Sequence, residues 1–292
     1  MKHLNVTTAV FPVAGMGTRF LPVTKSSPKE MLPIIDKPLI QYCVEEAIAS
    51  GIKKLIFVTS YTKRAIEDYF DTQFELEARL ELSGQHQMLA QLRNLLPDDV
   101  SIAFVRQPEP KGLGDAILCA APLVAHEPFA VVLADDVIVS ATQPCLKAMI
   151  ELYQQDGNSV LAVERVPPED TASYGIVCLG SEGCVRSIIE KPNSADAASD
   201  LGVIGRYVLS PAILPLLAQV LPGVGGEVQL TDAIAALLQV EKVVVHRLAG
   251  KRYDCGSKQG WFEATLDFAD HYPELKAILM DKLSSMAVEE IA

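Results

Sequence analysis

The chain has 292 residues, 25 Lys+Arg against 37 Asp+Glu for a formal net charge of −12, and 49% apolar composition. This is ordinary globular usage at a length suited to one large α/β domain or two smaller ones, which excludes wholesale disorder. The acid surplus repels nucleic acid and anionic membranes, and no run nears the ~18 consecutive apolar residues that span a bilayer.

Residues 7–13 (TTAVFPV) form a β-branched apolar run ending in Gly-rich sequence, the pattern of a buried strand. Residues 40–50 put Ile40, Cys43, Val44, Ala47 and Ile48 on one helical face, with Gly51 just past the end. A strand is expected at 54–59 (KLIFVT). Helices are expected at 64–70 and over most of 75–96, the latter rich in exposed charges and amides. Strands follow at 101–106 and 129–133, with a helix over about 115–121 between them and another near 146–155. Three strand-like runs at 159–166, 174–179 and 185–190 then form an added β region. Helices return at 211–220 and 231–239, a strand at 243–248, and C-terminal helices from Lys258 onward. Apolar strands alternating with helices predict an α/β fold, a mostly parallel sheet covered on both faces. No repeat or linker divides the chain, so one continuous unit is expected.

The strongest chemical signal is residues 13–33, VAGMGTRFLPVTKSSPKEMLP. Gly15 and Gly17, directly after a strand, let backbone N–H groups come close to a phosphate or a base. The dinucleotide fingerprint fails here, because Phe20 stands at the third glycine position and Pro22, Pro28 and Pro33 rule out one long helix. The P-loop fails for want of G-K-[ST]. What the segment carries is cations: Arg19, Lys25 and Lys29. Residues 1–40 hold five bases and two acids, a net +3, so the other 252 residues carry −15. A cationic loop at the carboxyl end of a first strand suits a polyphosphate.

Further along, residues 129–133 run into Ala134-Asp135-Asp136. Paired carboxylates at a strand end repel unless a cation balances them, which points to a hard divalent ion held by Asp135 or Asp136. Gln107 ends a strand ahead of Pro108 and the K-G-L-G of residues 111–114. Its amide offers the donor and the acceptor that a pyrimidine edge requires, and Gly112 lets backbone reach the base. Glu190-Lys191-Pro192 closes a strand with an acid and a base side by side, on its own a charged strand end, although such an acid can accept from sugar hydroxyls and such a lysine can hold a phosphate. Asp254, within RYDCG, reads on its own as a turn residue. The six cysteines, with no C-x-x-C, are expected as reduced, packed thiols. His3, His86, His126, His246 and His271 are scattered and read as structural or surface. The N-terminal apolar run is short and broken by Pro12, unlike a signal peptide.

The stretch GMGTRFLPVTKSSPKEMLPIIDKPLIQY resembles the signature of the sugar-1-phosphate nucleotidyltransferases, G-x-G-T-R-x-x-P-x-T-…-P-K-E-M-L-P. DYFDTQFELEARL, VRQPEPKGLGDAI, EKP, IGRYVLS, GGEVQLTDAI and YDCGSKQGW follow in the family's order over nearly the whole chain. The resemblance implies a nucleotide-diphospho-sugar transferase fold, Rossmann-like and mixed, as a single domain. Residues 1–140 would bind mainly nucleotide and 141–256 mainly sugar phosphate, with 257–292 as C-terminal helices. It implies Mg²⁺-dependent uridylyl transfer from UTP to α-D-glucose 1-phosphate, giving UDP-glucose and pyrophosphate. A cytoplasmic homo-oligomer, dimer or tetramer, is expected, with the helical tail at 272–292 as an assembly surface; nucleic acid and membrane are not expected partners.

By the same resemblance Ala14, Gly15, Gly17, Thr18 and Glu30 surround the nucleotide. Arg19 contacts the β- and γ-phosphates, and Lys25 stabilises charge at the α-phosphate. Gln107 and Gly112 read uracil, although relatives often carry His where this chain has Asp115. Asp135 and Asp254 hold Mg²⁺, Asp136 being the alternative to Asp135. Tyr174, Gly175, Glu190, Val203 and Gly205 line the sugar site, and Lys191 takes the sugar's phosphate. Two other readings are transfer from dTTP, against which residues 71–97 argue, and a non-catalytic regulatory paralogue, against which the intact Gly17-Thr18-Arg19 argues.

Overall fold

A computed structural model describes residues 5–180, 183–193 and 196–289. His3 and the last residues of the tail, 290–292, lie outside them. β1 (Thr8–Pro12) is followed by the Gly-rich loop and a ribbon of β2 (Pro33–Ile34) and β3 (Lys37–Pro38), which leads into α1 (Leu39–Ala49). β4 (Lys54–Thr59) and α2 (Arg64–Phe70) come next. The expected long helix over 75–96 is instead two, α3 (Phe74–Leu82) and α4 (His86–Arg93), because Gly84 at φ 72° ends the first. Then follow β5 (Ser101–Arg106), α5 (Leu113–Val124), β6 (Phe129–Val132), β7 (Asp136–Ser140), α6 (Cys145–Asp156), β8 (Ser159–Arg165), β9 (Gly175–Leu179), β10 (Val185–Glu190) and β11 (Leu201–Leu209). The chain ends with α7 (Ile213–Leu217), α8 (Leu230–Leu237), β12 (Val243–Arg247), β13 (Gly250–Asp254), α9 (Lys258–Ala269) and α10 (Pro273–Glu289). The helix expected over 211–220 is thus confined to one turn and a half.

Among the described residues, nine strands make one sheet. β6, β1, β4 and β5 run parallel in that spatial order. β11 lies antiparallel beside β6, β8 takes its other edge, and β12 runs parallel beyond β8. On its β6 edge, β11 serves two partners. Leu201 and Gly202 pair with β9, whereas residues 206–209 pair with β6. The sheet parts between them, beside Val203 and Gly205. The sequence reading assigns no strand to 201–209, because two glycines and Arg206 interrupt the apolar pattern of a segment buried along its whole length.

The central strands β6, β1 and β4 are covered on both faces, whereas β5 forms a partly exposed edge. In β1, Ala9 and Phe11 join the layer of α1 and α6 (Ile40, Val44, Leu146), whereas Val10 joins that of α5, α7 and α8. Phe11, Phe57 and Phe104 sit in register across β1, β4 and β5, with ring centroids 4.9 and 5.5 Å apart. A smaller cluster of Phe20, Leu32, Ile34, Val137 and Tyr253, with Trp261 of α9 against it, anchors the Gly-rich loop to the β7–β13 ribbon. Among the described residues no helix is long and apolar enough to cross a membrane.

Candidate active site

The run at 129–133 does not continue as a strand into its two aspartates. β6 stops at Val132, a turn closes with the Asp136 N–H donating to the Leu133 carbonyl at 3.3 Å, and Asp136 opens β7. β7 pairs antiparallel with β13, setting Asp254 opposite Asp136. The Cys255 N–H then donates to the Asp135 carbonyl at 2.8 Å, so two acids more than a hundred residues apart in sequence become neighbours. Gly256 separates them: a Cβ built there would lie 2.9 Å from Asp135 Oδ2 and 3.0 Å from Asp254 Oδ1. Only a glycine lets both carboxylates close on that point. Burial, with Asp136 and Asp135 nearby, pushes Asp254 above the usual carboxylate range. Such a pair of anionic oxygens fits a hard divalent ion. Among the described residues no cluster of three His, Cys, Asp or Glu side chains could hold a metal, so the remaining ligands would come from substrate phosphate and water, as Mg²⁺ favours.

Asp136 is already committed. Oδ2 accepts the Gly205 N–H at 2.7 Å and Oδ1 accepts Arg252 Nη1 at 2.8 Å. Arg252 also donates to Glu164 (2.5 Å) and to the Tyr174 hydroxyl (2.7 Å), which ties the ribbon to the sheet. Asp135, by contrast, pairs with Lys29 at 2.5 Å. Burial would raise the Asp135 carboxyl, but the Lys29 ammonium outweighs it and holds the group below its usual range. Behind this turn Arg206 is fully buried. It donates to the carbonyls of Leu133, Gly205 and Asp136 and pairs with Glu46 at 2.7 Å.

The Gly-rich segment is a series of tight turns. Gly17 takes φ 65°, and its carbonyl accepts the Thr24 hydroxyl at 2.8 Å. Thr18 and Arg19 occupy the first turn and Lys25 the second; all three are exposed. Glu30 is sealed at 1% exposure against the equally buried Lys63 (2.8 Å) and lines neither cavity described below.

Two cavities adjoin. The smaller, about 260 Å³, is lined by Ala14, Gly15, Lys29, Gln107 and Gly112. The larger, about 470 Å³, holds Arg19, Tyr174, Gly175, Glu190, Lys191 and Asp254, with Val203, Gly205 and Asp136 on its wall. Asp135, Leu113, Leu133 and Glu227 line both. Lys25 lines neither. Lys191 is held at φ 44°, a left-handed backbone that costs a side chain about 1–3 kcal/mol, while its N–H donates to the Tyr174 carbonyl at 2.9 Å. Glu190 accepts the Thr231 hydroxyl at 2.5 Å and lies 3.5 Å from Lys191 Nζ.

Gly112, at φ 97°, is a glycine for a reason beyond approach to a base: a Cβ there would meet Glu227 at 2.8 Å and the Val228 carbonyl at 2.9 Å. Sequence reasoning missed Arg252, Glu227, Thr231 and the Lys63 partner. Arg252 carried a signal, since it stands two residues before Asp254 and thus on the same face of a strand. The four described histidines line neither cavity, and the six cysteines are unpaired.

The sequence profile of the family described as Nucleotidyl transferase matches residues 9–271. The chain is 45% identical to a UTP–glucose-1-phosphate uridylyltransferase of Bacillus subtilis, over 98% of this chain and 99% of that relative. It is also similar to a UTP-bound UGPase of Acinetobacter baumannii (TM-score 0.88, 40% identity, 96% of this chain and 99% of that one). A UDP-glucose pyrophosphorylase complexed with UDP-glucose superimposes with TM-score 0.84 at 42% identity, over 91% of this chain and 100% of the other.

Proposed function

Because the chain belongs to the nucleotidyl transferase family, in the branch of the UTP–glucose-1-phosphate uridylyltransferases, we propose that it transfers the uridylyl group of UTP to α-D-glucose 1-phosphate, giving UDP-glucose and pyrophosphate. One observation carries this reading: Asp135, at the seam of two cavities, one lined by Ala14 and Gly15 of the Gly-rich loop and one bearing Glu190 and Lys191, is met there by Asp254 of the second. In this assignment Ala14, Gly15, Gly17 and Thr18 hold the nucleotide's phosphates, and Gln107 and Gly112 meet the base. Tyr174, Gly175, Glu190, Val203 and Gly205 surround the sugar. Glu30 acts by position, its pair with Lys63 anchoring the loop's end.

Asp135 and Asp254 are the residues that would hold Mg²⁺, which when bound offsets phosphate charge and polarises the α-phosphoryl group. Lys191 holds the sugar's phosphate, one oxygen of which attacks the α-phosphorus of UTP in line. The bond from that phosphorus to its bridging oxygen breaks, and the electron pair leaves with pyrophosphate, which Arg19 neutralises while Lys25 offsets charge developing at the α-phosphate. A phosphate monoester is largely ionised at neutral pH, with a second pKa of about 6, so the chain need supply no base. Its contribution is positioning and opposite charge. We further propose a cytoplasmic homo-oligomer, dimer or tetramer, supported by the exposed Ile278, Met280 and Leu283 of α10 and by unpaired thiols.

The test is pyrophosphate release across UTP, dTTP and ATP against several sugar 1-phosphates, with and without Mg²⁺. UTP with glucose 1-phosphate and Mg²⁺ should be the preferred combination. Tight UDP-glucose binding with no turnover in any combination would refute the enzymatic reading.

A further inference from the structure

The Gln107 amide has both of its N–H groups engaged. Nε2 donates to the Gly112 carbonyl at 3.1 Å and to Asp115 Oδ2 at 2.7 Å. A carbonyl and a carboxylate only accept, so only the NH₂ end of an amide can lie between them. This fixes which way round the amide sits. Gln107 is 5% exposed and lines the smaller cavity, so what remains for it to offer there is Oε1, an acceptor. Asp115 is itself well held. It stands in the first turn of α5, where a helix favours negative charge, and the Gly114 N–H beside it donates to the Val228 carbonyl at 2.9 Å.

We infer that Asp115 is a specificity-determining positioning residue: by holding Gln107 as an acceptor only, it selects a base that presents an N–H at that point. The inference rests on the smaller cavity being the nucleotide's. The imide edge of uracil carries such an N–H, whereas cytosine places a bare ring nitrogen, an acceptor, at the same position. An amide free to turn would serve both bases, since its two ends offer a donor and an acceptor. Asp115 removes that freedom, and two acceptors facing each other in a buried pocket are rejected strongly. The charge of Asp115 acts on every nucleoside triphosphate alike, so it alters affinity without altering the choice between pyrimidines.

The experiment compares kcat/KM for UTP and CTP, with glucose 1-phosphate, in the native enzyme and in the Asp115→Leu, Asp115→Asn and Gln107→Leu variants, alongside thermal melts. Asp115→Leu should lower the UTP-to-CTP ratio by about tenfold or more, chiefly through a gain on CTP, because only the Gly112 carbonyl then opposes a turn of the amide. Asp115→Asn keeps the side chain's shape but can donate to Oε1 as well as accept from Nε2, so the same change in smaller measure decides the matter if Asp115→Leu fails to fold. An equal loss on both nucleotides would mean a merely structural role and would overturn the inference. So would an unchanged ratio in the Asp115 variants when Gln107→Leu collapses it. An unchanged ratio in Gln107→Leu would instead remove Gln107 from base reading, and the inference with it.

Discussion

Gly256 has no side chain to contribute, yet the candidate metal site depends on that lack. The Cβ of Gly256→Ala would press against both the Asp135 and the Asp254 carboxylates. The Mg²⁺ concentration for half-maximal activity should rise by about 10–100-fold in that variant, with little loss of thermal stability. An unchanged metal requirement would separate the two aspartates from the metal. Lys25 poses the opposite case, a residue singled out by family resemblance that the fold leaves exposed on a turn outside both cavities. If its ammonium meets the developing phosphate charge, Lys25→Ala should lower kcat by about 10²–10³-fold and leave the melting curve in place. Near-normal turnover would remove it from the mechanism. At this scale the sequence was most legible where a residue's place follows from its immediate neighbours, as with Asp135 and Lys191, which both line the larger cavity. It was silent on pairing: nothing local marks Asp136 as the partner of Arg252, or Glu30 as that of Lys63, because those contacts join segments far apart in the chain.

The turn between β6 and β7 owes its shape to elements behind it. Arg206 on β11 reaches three of its surrounding carbonyls and the Glu46 carboxylate of α1. Arg206→Met would leave Glu46 buried and uncompensated, at about 3–5 kcal/mol. Adding Glu46→Leu should recover much of that stability in denaturant titrations, since the stranded charge goes too. Turnover should stay low in the double variant, because the carbonyls of Leu133, Gly205 and Asp136 still lack their donor. Full recovery of activity would show that the turn holds itself. At the far end of the ribbon, Asp267 of α9 accepts from Lys251 (2.6 Å) and the Tyr253 hydroxyl (2.8 Å), and those hydrogen bonds hold its carboxyl below the usual range. A depressed folded-state pKa stabilises above the unfolded value and loses that contribution as pH falls through the folded one. Asp267→Asn should therefore lower Tm slightly at neutral pH and match the native protein well below the ordinary aspartate pKa of about 4. A gap that persists in acid would assign the effect to packing. Strands such as β4 and β10 could be bounded from pattern alone. β7, β11 and β13 could not, since glycines, arginines and aspartates that serve the site break their alternation.

The whole molecule is acidic apart from its basic N-terminal segment, and residues 1–140 and 141–256 share one sheet through β11. β11 bonds to β6 of the first segment and to β8 and β9 of the second, so neither segment can unfold while leaving the other's edge intact. Calorimetry should show one unfolding transition, moved upward by UDP-glucose. Two resolved transitions, only one of them ligand-sensitive, would refute a single domain. By itself the sequence determined the fold class, the cationic Gly-rich loop and the acidic strand end, because hydrophobic period and local charge are properties of contiguous residues. Only the tertiary structure decided that Asp136 is taken up by Gly205 and Arg252, that Asp254 stands beside Asp135, and that Gln107 directs its amide N–H groups at Gly112 and Asp115. Each of those depends on the register of distant strands or on a contact closed by a helix start. Such distances are set by packing the whole chain, and no local pattern encodes them.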